Sequence, residues 1–506
     1  MQLFVRADAD SRIGTGHVMR CIALAQAWQD RGGRVTFLSH CESQGLRERI
    51  LSEGFDFHFL EKAYPDLSDL GQTLSLVTAQ KSETDQIEPR WLVLDGYHFS
   101  SEYQKTIHDA GISLLVVDDM NHLPYYHADI ILNQNIDAQE LRYHCDDHTI
   151  LLLGTRYVLL RREFLKYLDF QRQIPQHARN ILVTLGGADP DNVTLKVIEA
   201  LKLLKDAEIE VKVIVGPANP HRAILTEALS STCYPATLLT NPPDIPELMA
   251  WADLGICGGG STCWEFGFMG LPSIVIVLAE NQVRLAASLE RQQHAVNVGW
   301  HDKFPVERLS CEIGKLVNDR NVRKCMSANA STVAYGKGRF HVMKAMGGSC
   351  IELRRATYDD CSLVWKWAND RETRKASFSQ EPILWDEHVR WFEGHLRDPA
   401  PLFFIATDNE NKPLGQIRYA VKDNEAIVSF SMAPEYRNRG YGSELLRLAA
   451  LKLFRETGVT EIIAFVKVEN SISLRAFRNA GFVKVEEMLV EGAKSDKLLL
   501  RKAGNS

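Results

Sequence analysis

The sequence predicts an α/β protein of two successive parallel-sheet lobes, followed by a separate α+β domain beginning near residue 350. Three observations carry this. Over the first 345 residues, short apolar runs alternate with helix-like segments, the order expected where crossover helices join parallel strands. Those runs are continuous and rich in β-branched residues, as strands covered by helices on both faces must be. Past Gly347-Gly348-Ser349 the pattern changes to closely spaced strands separated by turn signals such as Asp408-Asn409-Glu410-Asn411.

In chain order, the first series of strands falls at 3–7, 34–39, 91–94, 113–117 and 129–132. A second series falls at 181–185, 210–215, 236–240, 254–257 and 273–278. Two such series predict two Rossmann-like lobes, residues 1–150 and 151–346, with a cleft between them and a join near 150–180. In the last domain, 350–506, strand 351–355 is followed by a Trp-rich helix over 364–370. Strands 402–406, 413–420 and 426–432 then form a largely antiparallel meander, and a long amphipathic helix covers about 441–457.

Composition excludes several classes of function. At 506 residues the chain exceeds what one hydrophobic core usually supports. A net charge of −7 leaves no basic footprint for nucleic acid. The start, Met1-Gln2-Leu3-Phe4-Val5-Arg6, reaches charge too soon for a signal peptide, and no apolar run approaches the ~20 residues that cross a bilayer. Ten cysteines are scattered without a Cys-x-x-Cys pair, so a reduced cytoplasmic protein without a membrane partner is expected. His144-Cys145-Asp146-Asp147-His148 imitates a metal cluster, but structural zinc sites bring a second pair of ligands, and no metal is expected.

The first strand runs into Asp8-Ala9-Asp10-Ser11-Arg12-Ile13-Gly14-Thr15-Gly16-His17, and a helix begins at about His17. Glycine lets backbone approach a ligand closely, and a helix start offers unpaired N–H groups and positive potential, a natural place for an anionic sugar nucleotide. The same dipole favours a neutral imidazole at His17, able to accept a proton, although a diphosphate would act in the opposite direction.

Arg6-Ala7-Asp8, Gly14-x-Gly16-His17-x-x-Arg20-Cys21, Val93-Leu94-Asp95-Gly96-Tyr97 and Leu132-Asn133-Gln134-Asn135 stand in an order that resembles the UDP-sugar hydrolases of pseudaminic acid biosynthesis. Those enzymes release UDP from UDP-2,4-diacetamido-2,4,6-trideoxy-β-L-altropyranose and are related to inverting glycosyltransferases of the GT-B fold. The resemblance covers about residues 1–340. It implies that His17 is the general base activating water. Arg6, Asp8, Gly14, Gly16, Arg20, Asp95 and Tyr97 would then contact the sugar or the attacking water, with Arg20 also helping to neutralise the diphosphate. Asp118-Asp119 ends another strand, either as part of the site or as a polar terminus.

In the second lobe, Thr184-Leu185-Gly186-Gly187 and Gly258-Gly259-Gly260-Ser261-Thr262-x-x-Glu265 each follow a strand. Consecutive glycines clear space for phosphates, and Ser261 and Thr262 supply hydroxyls. By the resemblance, Glu265 accepts hydrogen bonds from the ribose, Asn281 and Gln282 reach toward the donor sugar or diphosphate, and Gly216 and Ile245 line the uracil pocket. Gly187, Gly259 and Gly260 complete this UDP site.

In the last domain, a strand ending at Met432 leads into Arg437-Asn438-Arg439-Gly440-Tyr441-Gly442-Ser443 and then a long helix. Arg-x-x-Gly-x-Gly between strand and helix suits N–H groups cradling a pyrophosphate. This segment, with Asn470-x-x-Ser473-x-x-x-Phe477-x-x-x-Gly481-Phe482, resembles the GNAT acetyltransferases, implying acetyl-CoA bound by Met432, Arg437, Arg439, Gly440, Tyr441, Gly442, Ser443, Asn470 and Ser473. Phe477 stands where many of that family carry a tyrosine acting as general acid.

The expectation is a bifunctional enzyme using UDP-sugars and acetyl-CoA: N-acetylation of a UDP-4-amino sugar, then hydrolysis of the UDP-diacetamido product. The alternatives are a GT-B glycosyltransferase for the first region, and a protein N-acetyltransferase or a non-catalytic acetyl-CoA sensor for the last.

Overall fold

The computed structural model describes residues 1–10, 13–79, 90–187, 189–204, 208–216, 219–330, 336–347, 351–397, 402–408, 411–437 and 441–502, and of Leu67 the backbone only. The chain divides into two compact units, Met1–Gln29 with Gly33–Gly347, and Asp30–Gly32 with Gly348–Ser506.

The first sheet contains β1 (Gln2–Ala7), β2 (Arg34–Ser39), β3 (Asp56–Phe59), β4 (Arg90–Asp95), β5 (Ser113–Val117), β6 (Ile130–Asn133) and β7 (Ile150–Leu153). All its pairs are parallel, in the order β3-β2-β1-β4-β5-β6-β7. Successive side chains of β1 serve opposite layers. Leu3, Val5 and Ala7 pack with Val18, Cys21, Ile22 and Ala25 of helix Gly16–Gln29, while Phe4 packs with Leu38, Leu92, Leu94 and Phe99 on the other face. Two-sided burial is why these strands read as unbroken apolar runs.

The second sheet contains β8 (Asn180–Thr184), β9 (Glu210–Val215), β10 (Ala236–Thr240), β11 (Leu254–Gly258), β12 (Ser273–Val277) and β13 (Ala295–Trp300). It is parallel in the order β10-β9-β8-β11-β12-β13. Strands β3, β7 and β13 were not foreseen. Each is a sheet edge, bonded on one side only; β3 presents mostly exposed residues and lacks the apolar signature, while β7 carries it in only four residues.

In both sheets the strand order reverses between two neighbours, β1 and β4 in the first and β8 and β11 in the second. A crevice opens at the carboxyl ends of such a pair, where α/β proteins bind ligands. The expected lobe boundaries need correction. The first sheet extends to Leu153, and after the second lobe the chain returns to the first. Val342 and Met343 of helix Gly338–Ala345, with Met346, join the first core, and Trp91 Nε1 donates to the Met346 carbonyl at 3.1 Å.

The last unit holds β14 (Glu352–Arg355), β15 (Phe403–Thr407), β16 (Pro413–Lys422), β17 (Glu425–Met432), β18 (Glu461–Lys467), β19 (Val483–Val490) and β20 (Ala493–Arg501), ordered β14-β15-β16-β17-β18-β20-β19. The sheet is mixed: β17 and β18 run parallel, joined through helix Tyr441–Glu456, as a parallel pair requires a crossover. Their pairing covers only Glu425↔Glu461 to Ile427↔Ile463, although the strands continue to Met432 and Lys467. One face is covered by Leu445, Leu446, Ala449 and Leu453 of the crossover helix. On the other, Val364 and Trp367 of helix Cys361–Ala368 and Phe392 of helix Trp385–Leu396 pack on Phe403 and Ile405.

Candidate active sites

The reversal between β1 and β4 brings His17 and Asp95 together. His17 is the second residue of helix Gly16–Gln29 and Asp95 the last of β4. His17 Nδ1 lies 2.6 Å from Asp95 Oδ1. Arg20, one turn along the helix, donates from Nε to Asp95 Oδ2 at 2.6 Å and from Nη2 to Oδ1 at 2.7 Å. Burial would raise the Asp95 carboxyl, but Arg20 and His17 outweigh it and hold it well below the usual carboxylate range. An ionised carboxylate this close fixes the imidazole proton on Nδ1. Nε2, with no hydrogen-bond partner among the described residues, is left with its lone pair.

Around this pair, Asp119 collects three donors: Arg20 Nη1 at 2.6 Å, Tyr97 OH at 2.6 Å and Asn135 Nδ2 at 3.0 Å. The Tyr97 ring meets the His17 ring edge-on with centroids 5.0 Å apart. Burial pushes the Tyr97 phenol up and Asp119 adds to it, so Tyr97 donates as a neutral hydroxyl.

This geometry revises several expected contacts. Asp95 is wholly buried beneath His17, so it orients the imidazole and has no surface for sugar. Arg20 commits its donors to Asp95 and Asp119, which removes it from the diphosphate. Arg6 is also wholly buried and pairs with Asp8 and Asp69. Asp8, wholly buried, in turn accepts from the His40 amide at 2.7 Å and lies 3.0 Å from Nε2 of half-buried His98. Gly14 has positive φ and nothing within 4 Å of where a Cβ would stand; a Cβ on Gly16 would lie 4.0 Å from Ser261 Oγ.

That last contact comes from the second lobe, whose strand ends face those of the first. Asn281 Nδ2 donates to Tyr97 OH at 3.1 Å, and Arg284 pairs with Asp137 at 2.9 Å. Glu265 is held through Oε1, which accepts from Arg161 Nε at 3.1 Å and Nη2 at 2.8 Å; Oε2 has no partner among the described residues. A Cβ on Gly260 would meet nothing within 4 Å, so this glycine borders open space. Thr262 begins helix Thr262–Phe268, with Ser261 just before it.

Five of the expected UDP-site residues also have contacts within the protein. Gln282 Oε1 accepts from the amides of Gly259 at 3.0 Å and Leu278 at 2.9 Å, bracing the glycine loop, and a Cβ on Gly259 would lie 3.0 Å from Gln282. A Cβ on Gly216 would stand 2.0 Å from the Gly187 carbonyl oxygen, and one on Gly187 2.7 Å from Thr15 Oγ1, so close packing demands both glycines. Ile245, half-buried, packs against the lobe core.

In the last unit, Arg439 and Gly440 lie outside the described residues. Arg437 is fully engaged: Nη1 with Asp370 at 2.6 Å, Nε with the Met432 carbonyl at 3.2 Å and Nη2 with Thr373 Oγ1 at 2.9 Å. Asn470 caps helix Ser471–Asn479 by accepting from the Ser473 amide at 3.1 Å. A Cβ on Gly442 would lie 3.5 Å from Phe430, 3.7 Å from Ala476 and 3.9 Å from Met432, so this glycine faces packed side chains. Tyr441 and Ser443 occupy the first turn of the crossover helix. Phe477 is buried edge-on against Phe430 and Phe482, a packing role that replaces the expected acid position.

Sequence reasoning missed His98 and Arg161, quoted Asn135 in a motif without giving it a role, and left Asp119 open. Two adjacent aspartates after β5 gave no means of telling that Asp119 faces Arg20 while Asp118 accepts from Tyr143 and the Asn121 amide. Among the described residues, one group has ligand spacing for a metal: His108, Asp129 and His148, with ligand atoms within 4.8 Å. It takes only His148 from the 144–148 stretch and lies at the amino ends of β6 and β7, whereas the cleft lies at the carboxyl ends of the strands. No helix among the described residues is long and apolar enough to cross a membrane.

Residues 180–340 match the glycosyltransferase family 28 C-terminal domain, and residues 351–483 match the acetyltransferase (GNAT) domain. An uncharacterized protein of Methanocaldococcus jannaschii is 23% identical over 96% of this chain and 98% of its own, an alignment spanning both units. The spore coat polysaccharide biosynthesis protein SpsG of Bacillus subtilis is 24% identical over 68% of this chain and 96% of its own. A UDP-2,4-diacetamido-2,4,6-trideoxy-beta-L-altropyranose hydrolase of Campylobacter jejuni is 25% identical over 44% of this chain and 72% of its own. The chain thus joins a region similar to SpsG and to the hydrolase, bearing a family 28 C-terminal domain, to a GNAT acetyltransferase domain.

Proposed function

We propose that this chain is a bifunctional nucleotide-sugar enzyme of nonulosonic acid biosynthesis. Its last unit acetylates the 4-amino group of a UDP-4-amino-4,6-dideoxy-2-acetamido sugar, and its first unit hydrolyses the UDP-2,4-diacetamido product to free sugar and UDP. The carrying observation is the His17–Asp95 pair at the strand-order reversal of the first sheet, with Nε2 unpartnered among the described residues. Nε2 takes a proton from water as its oxygen attacks the anomeric carbon; the carbon–oxygen bond to UDP breaks and the configuration inverts. Asp95 stabilises the imidazolium that forms, as a carboxylate does behind a catalytic histidine. UDP lies across the glycine loop at Gly260, and Glu265 Oε2 accepts from the ribose hydroxyls.

The GNAT match and the short β17–β18 pairing support acetyl-CoA entering between those strands beyond Ile427 and Ile463. There the amine attacks the thioester carbonyl, an amide forms, and the CoA thiolate leaves and takes up a proton. Phe477 cannot supply that proton.

Incubating the protein with acetyl-CoA and UDP-4-amino sugars, then identifying products by NMR, tests the reading. Free diacetamido sugar, UDP and CoA are expected. UDP release only when a sugar acceptor is added would replace hydrolysis with glycosyl transfer, and failure to acetylate any UDP-amino sugar would refute the assignment of the last unit.

A further inference from the structure

Arg418 lies on β16 with its guanidinium carbon 4.7 Å from the centroid of the Trp391 ring, and it is half-buried. It has no hydrogen bond or ion pair among the described residues. Burial brings its guanidinium down to about 10; no carboxylate among the described residues opposes that effect. Its charge is also felt by buried His388, whose imidazole is lowered first by burial and then by Arg418. A cation held this way, with five donors and no acceptor beside it, is a site waiting for an anion.

Two residues along the same strand, and so on the same face, Gln416 is 5% exposed. Its Nε2 donates to Ser431 Oγ at 3.2 Å, but its Oε1 is buried without a partner among the described residues. The two side chains together demand a ligand carrying both an anion and a hydrogen-bond donor. Their position fits the acetyl acceptor. Arg418 is paired across the ladder with Ser429, two residues beyond Ile427, where the β17–β18 pairing ends. Arg418 therefore stands one strand, ~4.8 Å, from the parting strands.

We propose that Arg418 and Gln416 form the acceptor-specificity site of the acetyltransferase unit. Arg418 takes the diphosphate of a nucleotide-linked amino sugar, and Gln416 Oε1 accepts from a hydroxyl or amide N–H of that sugar. The assignment rests on the proposed function of this unit and names what selects its substrate. A polyamine would bring a second cation to a cation, so the site disfavours it.

The test measures CoA release by the full chain with a UDP-4-amino sugar, the same amino sugar as its methyl glycoside, glucosamine 6-phosphate and spermidine. Arg418→Met keeps the stem against Trp391 and removes the charge; Arg418→Lys restores a charge without the fork. The wild type should prefer the UDP-linked acceptor. Arg418→Met should raise its KM roughly ten- to hundredfold with a much smaller change in kcat, Arg418→Lys should recover part of the loss, and Tm should change little, since the stem stays on Trp391 and only the cation–π contact is lost. An unchanged KM in Arg418→Met, or a lowered Tm with equal losses for every acceptor, overturns the proposal. If the wild type rejects the UDP-linked sugar but acetylates glucosamine 6-phosphate in an Arg418-dependent way, the anion site stands and the nucleotide-sugar reading falls. No turnover of either anionic acceptor overturns both.

Discussion

Replacing Asp95 by Asn tests whether the base is built from two residues. The change keeps the shape and removes one charge. Asp95 now accepts from His17 Nδ1 and twice from Arg20. An amide has one acceptor oxygen, so an Arg20 N–H faces its NH2 in either orientation, and with the oxygen at the Oδ2 position that NH2 also faces His17 Nδ1. That donor selects the tautomer with hydrogen on Nε2, where the lone pair is needed. Loss of the correct tautomer costs general-base catalysis ~10²–10⁴-fold. Stability falls less. Removing one partner of a buried ion pair costs about 3–5 kcal/mol, but Arg20 keeps Asp119 and an amide oxygen, so about 2 kcal/mol is expected. The assay is UDP release by the full chain, with urea unfolding of the same sample to correct for the folded fraction. His17→Asn serves as reference and should lose as much activity with UDP affinity retained. UDP release by folded Asp95→Asn within threefold of wild type would refute the two-residue base.

Glu265→Gln keeps the oxygen that Arg161 holds and puts an amide in place of the unpartnered one, so UDP affinity measured calorimetrically should fall ~10-fold or more. Gly442→Ala adds a methyl at ordinary contact distance from Phe430, so acetyl-CoA affinity and Tm should stay near wild type; a large loss of affinity would return Gly442 to the phosphate site. The Asp8 carboxyl would be raised by burial, but His98, Arg6 and the His40 amide outweigh it and bring it down to about 2 from an ordinary 3.8. A depressed carboxylate stabilises the fold above its unfolded value and loses that contribution as pH falls through its folded value, so Asp8 contributes about 2 kcal/mol near neutrality that fades between pH 4 and 2. Urea unfolding of wild type and Asp8→Asn should therefore differ most near pH 6 and converge near pH 2.

The sequence by itself determined the parallel lobes, the separate last domain and the two loops that border the cleft. The reason is local: a strand buried on both faces must be apolar along its whole length, and glycine after such a strand leaves a mark in the chain. Edge strands such as β3, bonded on one side, left none. His17 was legible because it sits in a glycine loop at a helix start. What each polar residue does was decided by tertiary structure. Asp95 follows a strand in the sequence as any ligand-contacting carboxylate might, and only the adjacency of β1 and β4 puts it under His17, 78 residues away, and out of reach of a sugar. Arg20 and Arg437 carry the charge a phosphate needs, but nearby carboxylates claim both. Arg418 carried no motif at all; it stands out because folding buried it against Trp391 and brought no acid among the described residues to meet it. Residue type and spacing reveal which groups are able to bind or react, while partners drawn from distant strands decide which of them remain free to do so.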